Sequence, residues 1–290
     1  MNTANRLISS SELKRPGTLF HWTTVTRGDF FAALFLIACV NGVVPHVIQS
    51  IGEKGFAEAL LSTFDISVIV WMACFVAIKL IYEEPCDTIR ISDLAIGIPF
   101  LAIVALPVAG ASWLGVTGLA LYIITWTEAL SMRLRGAVIL LATSVSMFWS
   151  RLLFAFLCKP ILDIDAALTA WLKGTARVGN MVRFADNSGY VVILPACSSF
   201  GNVSLAFLTW VLVSQSVGHQ WSWRDIFWCL LACAAVVVVN ISRLSIMATD
   251  TNHLAAVHNQ WGNAIASVII LMLVIAISAL GVRRELLSHV

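Results

Sequence analysis

Thiol, guanidinium and imidazole, three groups that together can carry out acyl transfer, fall within the last third of this chain at Cys197, Arg243 and His258. A thiolate attacks a carbonyl, an imidazole activates it and returns the proton to the leaving amine, and a cationic donor steadies the oxyanion between the two steps. Cys197 lies in Leu194-Pro-Ala-Cys-Ser198, at the expected opening of a helix. There, unpaired N–H groups and the positive dipole end favour a thiolate. Ser198 and Ser199 have an equally good structural role as caps of that helix start. Arg243 ends an apolar run, where inserting an Arg costs roughly 2.5–3.5 kcal/mol on the lenient scale. Its stem is also long enough to snorkel to the interface. Asn240, one turn earlier, is placed to fix the guanidinium plane. His258 shares a short connection with His253, and either imidazole can serve as the base. His46 is a third and weaker candidate, and Arg151 reads as a snorkelling side chain.

The elements that must position these groups are membrane spans. Of 290 residues, 59% are hydrophobic and 12% charged, against roughly 45–50% and 25% for a soluble domain. One globule of this size cannot hide the surplus, so lipid must cover it. The net charge of +2, with no basic run, excludes a nucleic-acid partner. The seven cysteines form no paired framework and mostly lie in apolar stretches; Cys229 and Cys233, one turn apart, read as packing rather than a metal site. No cleavable signal is visible, so the first apolar run is expected to stay as an anchor.

A crossing helix needs about 20 apolar residues. Eight segments meet or approach this: about 30–50, 65–82, 94–111, 113–130, 136–157, 198–217, 226–248 and 264–282. The expectation is an all-α integral membrane protein of about eight transmembrane helices. Residues 1–29 form a cytoplasmic N-terminal segment, and 30–290 a single multi-span domain. The third and fourth spans are divided at Gly110-Ala-Ser-Trp113. With the N-terminus inside, most of the 18 basic residues fall in cytoplasmic segments, anchored by Arg133/Arg135 and Arg283-Arg284. Cys197, Arg243 and His258 then share the outer face of a cytoplasmic (inner) membrane.

The one substantial piece outside the spans runs from 159 to 196. Residues 161–175 read as a short amphipathic helix on the bilayer surface. Residues 181–184 and 190–194 read as two short strands, a β-hairpin around a Gly-containing turn. The carboxylates of Asp163 and Asp165 are expected at the outer surface.

The order Leu194-Pro-Ala-Cys-Ser198, Asn240-Ile-Ser-Arg243, His258-Asn-Gln-Trp-Gly262 resembles the exosortase/archaeosortase family of membrane-embedded cysteine transpeptidases. Members carry a Cys followed by Ser or Asn and usually Gly, an Asn-x-x-Arg, and a His often followed by Asp, with Gly shortly after. The likeness covers about residues 137–282; the first four spans are similar only in being hydrophobic. Two positions depart: Ser199-Phe200-Gly201 replaces an immediate Gly, and Asn259 stands where Asp is usual.

The resemblance implies a membrane-embedded cysteine protease or transpeptidase with the active site facing the periplasm or exterior. Its substrates would be exported proteins whose C-terminal sorting signal combines a short motif, a hydrophobic helix and a basic tail, as in PEP-CTERM-like proteins. Cys197 would be the nucleophile and His258 the base. Arg243 would stabilise the oxyanion or bind a substrate carboxylate, with Ser198, Asn240 and His253 in support. No metal or organic cofactor is called for. The alternative is a non-enzymatic membrane component of exopolysaccharide assembly or transport. A transporter should place polar residues and broken helices near the midplane, whereas the polar groups here cluster at one face.

Overall fold

The computed structural model describes residues 25–84, 88–106, 108–127 and 131–283. Most of the expected N-terminal segment (1–24), and Arg284 of the basic tail, lie outside the described residues. The chain is predominantly helical: α1 (Arg27–Lys54), α2 (Phe56–Leu61), α3 (Val68–Tyr82), α4 (Ile91–Val104), α5 (Ala109–Trp126), α6 (Met132–Ser144), α7 (Ser150–Lys173), α8 (Ser199–Ser216), α9 (Trp223–Met247), α10 (Thr251–His258) and α11 (Gln260–Gly281). Among the described residues, four helical stretches are long and apolar enough to cross a membrane: α1, the continuous run Met132–Lys173, α9 and Trp261–Gly281 within α11. Shorter apolar helices occupy three further expected span positions, at α3, α4 and α5, while α8, at the expected sixth span, falls in neither group. The break before α5 falls between Val104 and Ala109, so Gly110 and Trp113 lie inside that helix instead of dividing two spans.

Close helix approach depends on small residues. A Cβ on Gly136 of α6 would sit 2.6 Å from the Ala77 carbonyl oxygen of α3, and one on Gly42 of α1 would strike Trp113 of α5. The main apolar core gathers α1, α3, α5, α6 and α8 around Phe31, Phe35, Trp113, Leu140 and Trp210. At one end, Arg27 makes a bidentate pair with Asp93 of α4, at 2.7 and 2.8 Å, and Tyr122 adds a third bond to that carboxylate. Such a pair holds helix ends in register more than it stabilises them.

The other end carries the site. α6 continues through a π-turn, Val145–Trp149, into α7. Within α7, Leu157 leaves helical geometry three residues before Pro160, as expected where a proline ring meets the preceding turn. The expected amphipathic segment is therefore the C-terminal part of a kinked helix, ended by Gly174 in the left-handed conformation (φ 71°). The hairpin forms as β2 (Met181–Arg183) and β3 (Tyr190–Val192), and a third strand, β1 (Arg177–Val178), pairs antiparallel with β2. Asn187, not a glycine, takes the positive φ in the connecting turn. Val182, Phe184, Val191 and Ile193 face Leu162 and Ala166 of α7 and Leu244 and Met247 of α9, forming a second core.

Candidate active site

Cys197 belongs to that second core. It ends a 3-10 turn, Pro195–Cys197, and its thiol is buried among Ile241, Leu244 and their neighbours. The turn is locked from two sides. Asp165 of α7, 4% exposed, accepts bonds from Ser198 Oγ (2.9 Å), Ser199 N (3.1 Å) and Ser199 Oγ (2.9 Å). From α9, Asn240 Nδ2 donates to the Cys197 carbonyl (2.9 Å) and to Ser199 Oγ (3.0 Å). Ser198 Oγ also accepts from Phe200 N and so caps α8. Every hydroxyl in the cluster thus has a donor and an acceptor role, as a buried polar network requires.

Two sequence expectations change here. Asp165 is not a surface carboxylate; it is the hub of the network. Cys197 also lies before the cap of α8 rather than in its first turn, and the first-turn amides of Ser199 and Phe200 are already taken by Asp165 and Ser198. The dipole end is therefore occupied by a carboxylate, and electrostatic support for a thiolate must come from elsewhere.

Arg243 lies one turn beyond Asn240 on α9, hence at the same end of the molecule as Cys197. Its Nη2 donates to Asn263 Oδ1 of α11, while its buried Nε–H has no partner among the described residues. An unpaired buried donor costs about 1–3 kcal/mol, and a ligand oxygen is the natural recipient. Asn263 in turn reaches the His258 carbonyl through Nδ2 at 3.4 Å. The Cys, Asn-x-x-Arg and His motifs are thereby joined by one series of contacts across α8, α9, α10 and α11.

The imidazoles sit on α10. Leu254 and Val257 turn this helix toward the Cys197 core. At 100° per residue, His258 (four after Leu254) and His253 (four before Val257) fall on the two margins of that face. Both are exposed. His253 Nδ1 is held by Asp250 Oδ2 at 2.8 Å, the orientation a catalytic imidazole needs; the His258 ring has no such bond among the described residues. Neither ring is hydrogen-bonded to the Cys197 thiol. Asp250 also caps α10 through the His253 amide, and these bonds hold its half-buried carboxyl below the ordinary aspartate range.

Asn259 caps α11 through the Gly262 amide (2.8 Å), and a Cβ on Gly262 would lie 2.3 Å from the Val257 carbonyl oxygen. The spacing from His258 to Gly262 is thus set by the tight corner between α10 and α11. His46 of α1 meets Arg151 of α7 in a separate contact. A cavity of about 600 Å³ opens between the start of α3, α8 and α11 and does not include Cys197 or Arg243. Comparison of the chain with protein families, curated proteins and solved structures returns no match.

Proposed function

We propose that this chain is a membrane-embedded cysteine peptidase or transpeptidase of the exosortase type, multi-pass through about eight helices, with its site at the outer face of a cytoplasmic membrane. It cleaves the C-terminal sorting signal of exported proteins that carry a hydrophobic helix and a basic tail. The observation that carries the reading is Asn240, which binds the Cys197 carbonyl and stands one turn from Arg243. Two segments far apart in sequence, each bearing a group needed for acyl transfer, are tied to each other at one end of the helices.

The reaction runs in two steps. Cys197 Sγ loses its proton to an imidazole of α10 and attacks the scissile carbonyl, forming a C–S bond and an oxyanion. The unpaired Arg243 Nε–H supplies a donor for that oxygen. Collapse breaks the C–N bond, the imidazolium returns the proton to the amine, and a thioester remains on Cys197. Water or an amine then takes the acyl group and regenerates the thiol. The apo geometry leaves the thiol and the imidazole unbonded, which is common before substrate closes a site.

The test is replacement of Cys197 by Ala or Ser in cells that produce a tail-anchored substrate. Processing should stop while the variant accumulates normally. Continued processing would remove the nucleophile, and loss on replacing His253 but not His258 would place the base at His253. A non-enzymatic component of exopolysaccharide assembly would keep its function in the Cys197→Ala variant.

A further inference from the structure

Arg151 follows the π-turn Val145–Trp149 as the second residue of α7, and no step of the reaction above uses it. Its guanidinium makes one hydrogen bond among the described residues, from Nη1 to His46 Nε2 of α1 at 2.5 Å. A guanidinium can only donate, so Nε2 accepts and the ring proton rests on Nδ1, which is buried without a partner. A neutral His46 therefore orients Arg151 without cancelling its charge, and no described carboxylate pairs with it. The cation lines a cavity of about 190 Å³ with Ser150, Phe154, Pro195, Ser198 and Gly201. Pro195 and Ser198 flank Cys197 in the stretch that leads into α8, although Cys197 itself does not line the cavity. Gly201 borders open space at the mouth, where an added Cβ meets nothing within 4 Å.

We propose that Arg151, held by His46, is an anion subsite that receives a carboxylate on the peptide segment lying against the Cys197 turn. Arg151 is exposed at this cavity, where an anion can reach it, and its planar fork suits a carboxylate held by two parallel bonds. The cavity is the size of a side chain rather than of a diacyl lipid. This assignment rests on the peptidase reading for the identity of its ligand, but the charge selectivity of the cavity is measurable without turnover.

The experiment places a reporter thiol at the exposed mouth, Gly201→Cys, in the full chain in phosphatidylcholine vesicles. Labelling rates are compared for anionic 2-sulfonatoethyl and cationic 2-trimethylammonioethyl methanethiosulfonate, with the Gly201 parent subtracted. The anionic reagent should be favoured by roughly tenfold relative to free cysteine. Arg151→Gln should abolish the preference, Arg151→Lys should keep most of it, and His46→Ala should weaken it. N-acetylglutamate methylamide should slow labelling at position 201, whereas the glutamine analogue should not, and Arg151→Gln should remove this protection. Equal rates for the two reagents, or a preference untouched by Arg151→Gln, would overturn the subsite. Loss of the preference and of the protection on adding phosphatidylglycerol would assign the cation to lipid phosphate instead. Adding Cys197→Ala should leave the preference intact, so a failed peptidase reading and a failed subsite give different results.

Discussion

Asn240 Nδ2 lies 2.9 Å from the carbonyl oxygen of Cys197 and 3.0 Å from Ser199 Oγ, so one amide of α9 holds both the backbone of Cys197 and the start of α8. An amide can donate to both, whereas a carboxylate can donate to neither. Asn240→Asp should therefore be worse than Asn240→Ala, because it faces a carbonyl oxygen close to Asp165. Each buried group left unpaired costs about 1–3 kcal/mol. Thermal unfolding in detergent should rank wild type above Asn240→Ala above Asn240→Asp; the reverse order of the two variants would mean the amide donates to neither acceptor.

Asp165 accepts three bonds at the same cluster. Asp165→Ala strands two hydroxyls and an amide, and it should destabilise the turn more than Asp165→Asn, which keeps one acceptor oxygen. The measurable sign is the alkylation rate of Cys197, which should rise as its turn loosens. An unchanged rate in Asp165→Ala would show that the turn holds its shape without the carboxylate.

How far these features can be read from sequence depends on how local their causes are. Apolar length alone located the long stretches α1, α9 and α11, because crossing or packing against lipid is a demand each segment meets by itself. The division of α4 from α5 was misplaced, since Gly110 packs under Phe148 and Trp113 fills the notch at Gly42, contacts no local pattern reveals. β1 escaped notice because two residues carry no alternation. Its charge points Asp165 to the surface, although it shares a helical face with the buried Leu162, Ala166 and Thr169. An acid on such a face is a legible sign of a buried partner, but Ser198 and Ser199 lie 33 and 34 residues away. Order and placement alone point to Cys197 and Asn240 lying near each other; the Asp165 network that fixes the Cys197 turn leaves no such local sign.

Gly262 marks the corner between α10 and α11. Gly262→Ala drives a Cβ into the Val257 carbonyl, a backbone atom that cannot swing aside, and should cost about 1–3 kcal/mol. Asn259→Ala loses only the cap of α11, about 1 kcal/mol. Protease sensitivity of the α10–α11 connection should increase in both and more in Gly262→Ala; equal behaviour would mean the corner relaxes freely.

Asp250 links pH to the order of α10. Its carboxyl is held below the ordinary aspartate range, chiefly by the His253 amide and then by the His253 ring. A depressed folded value means that the stabilisation is complete above the unfolded aspartate range. It is lost as pH falls through the folded value. Protection of the α10 amides, with the intrinsic pH dependence of exchange divided out, should be steady from neutral to mildly acidic pH and fall below that range. Asp250→Asn should exchange faster at neutral pH and lose most of the acid dependence. A pH-independent difference between the two proteins would contradict the linkage.

Arg243 contributes an unpaired buried donor and a bond to Asn263. Its removal as Arg243→Ala should lower processing by about a hundred- to thousandfold, the usual effect of losing one oxyanion donor. Arg243→Lys keeps the charge but has no Nε–H in that position, so it should restore little. Full activity in Arg243→Lys would show that charge alone matters.

On the proposed reading Cys197 carries the acyl group, and hydroxylamine reports on this directly. Added to cells or vesicles processing a tail-anchored substrate, it intercepts a thioester and leaves a hydroxamate on the new C-terminus, which mass spectrometry detects. Wild type should yield the hydroxamate, and Cys197→Ala should yield neither hydroxamate nor processed product. Processing that continues in Cys197→Ala, or that proceeds in wild type with no hydroxamate formed, would contradict the account.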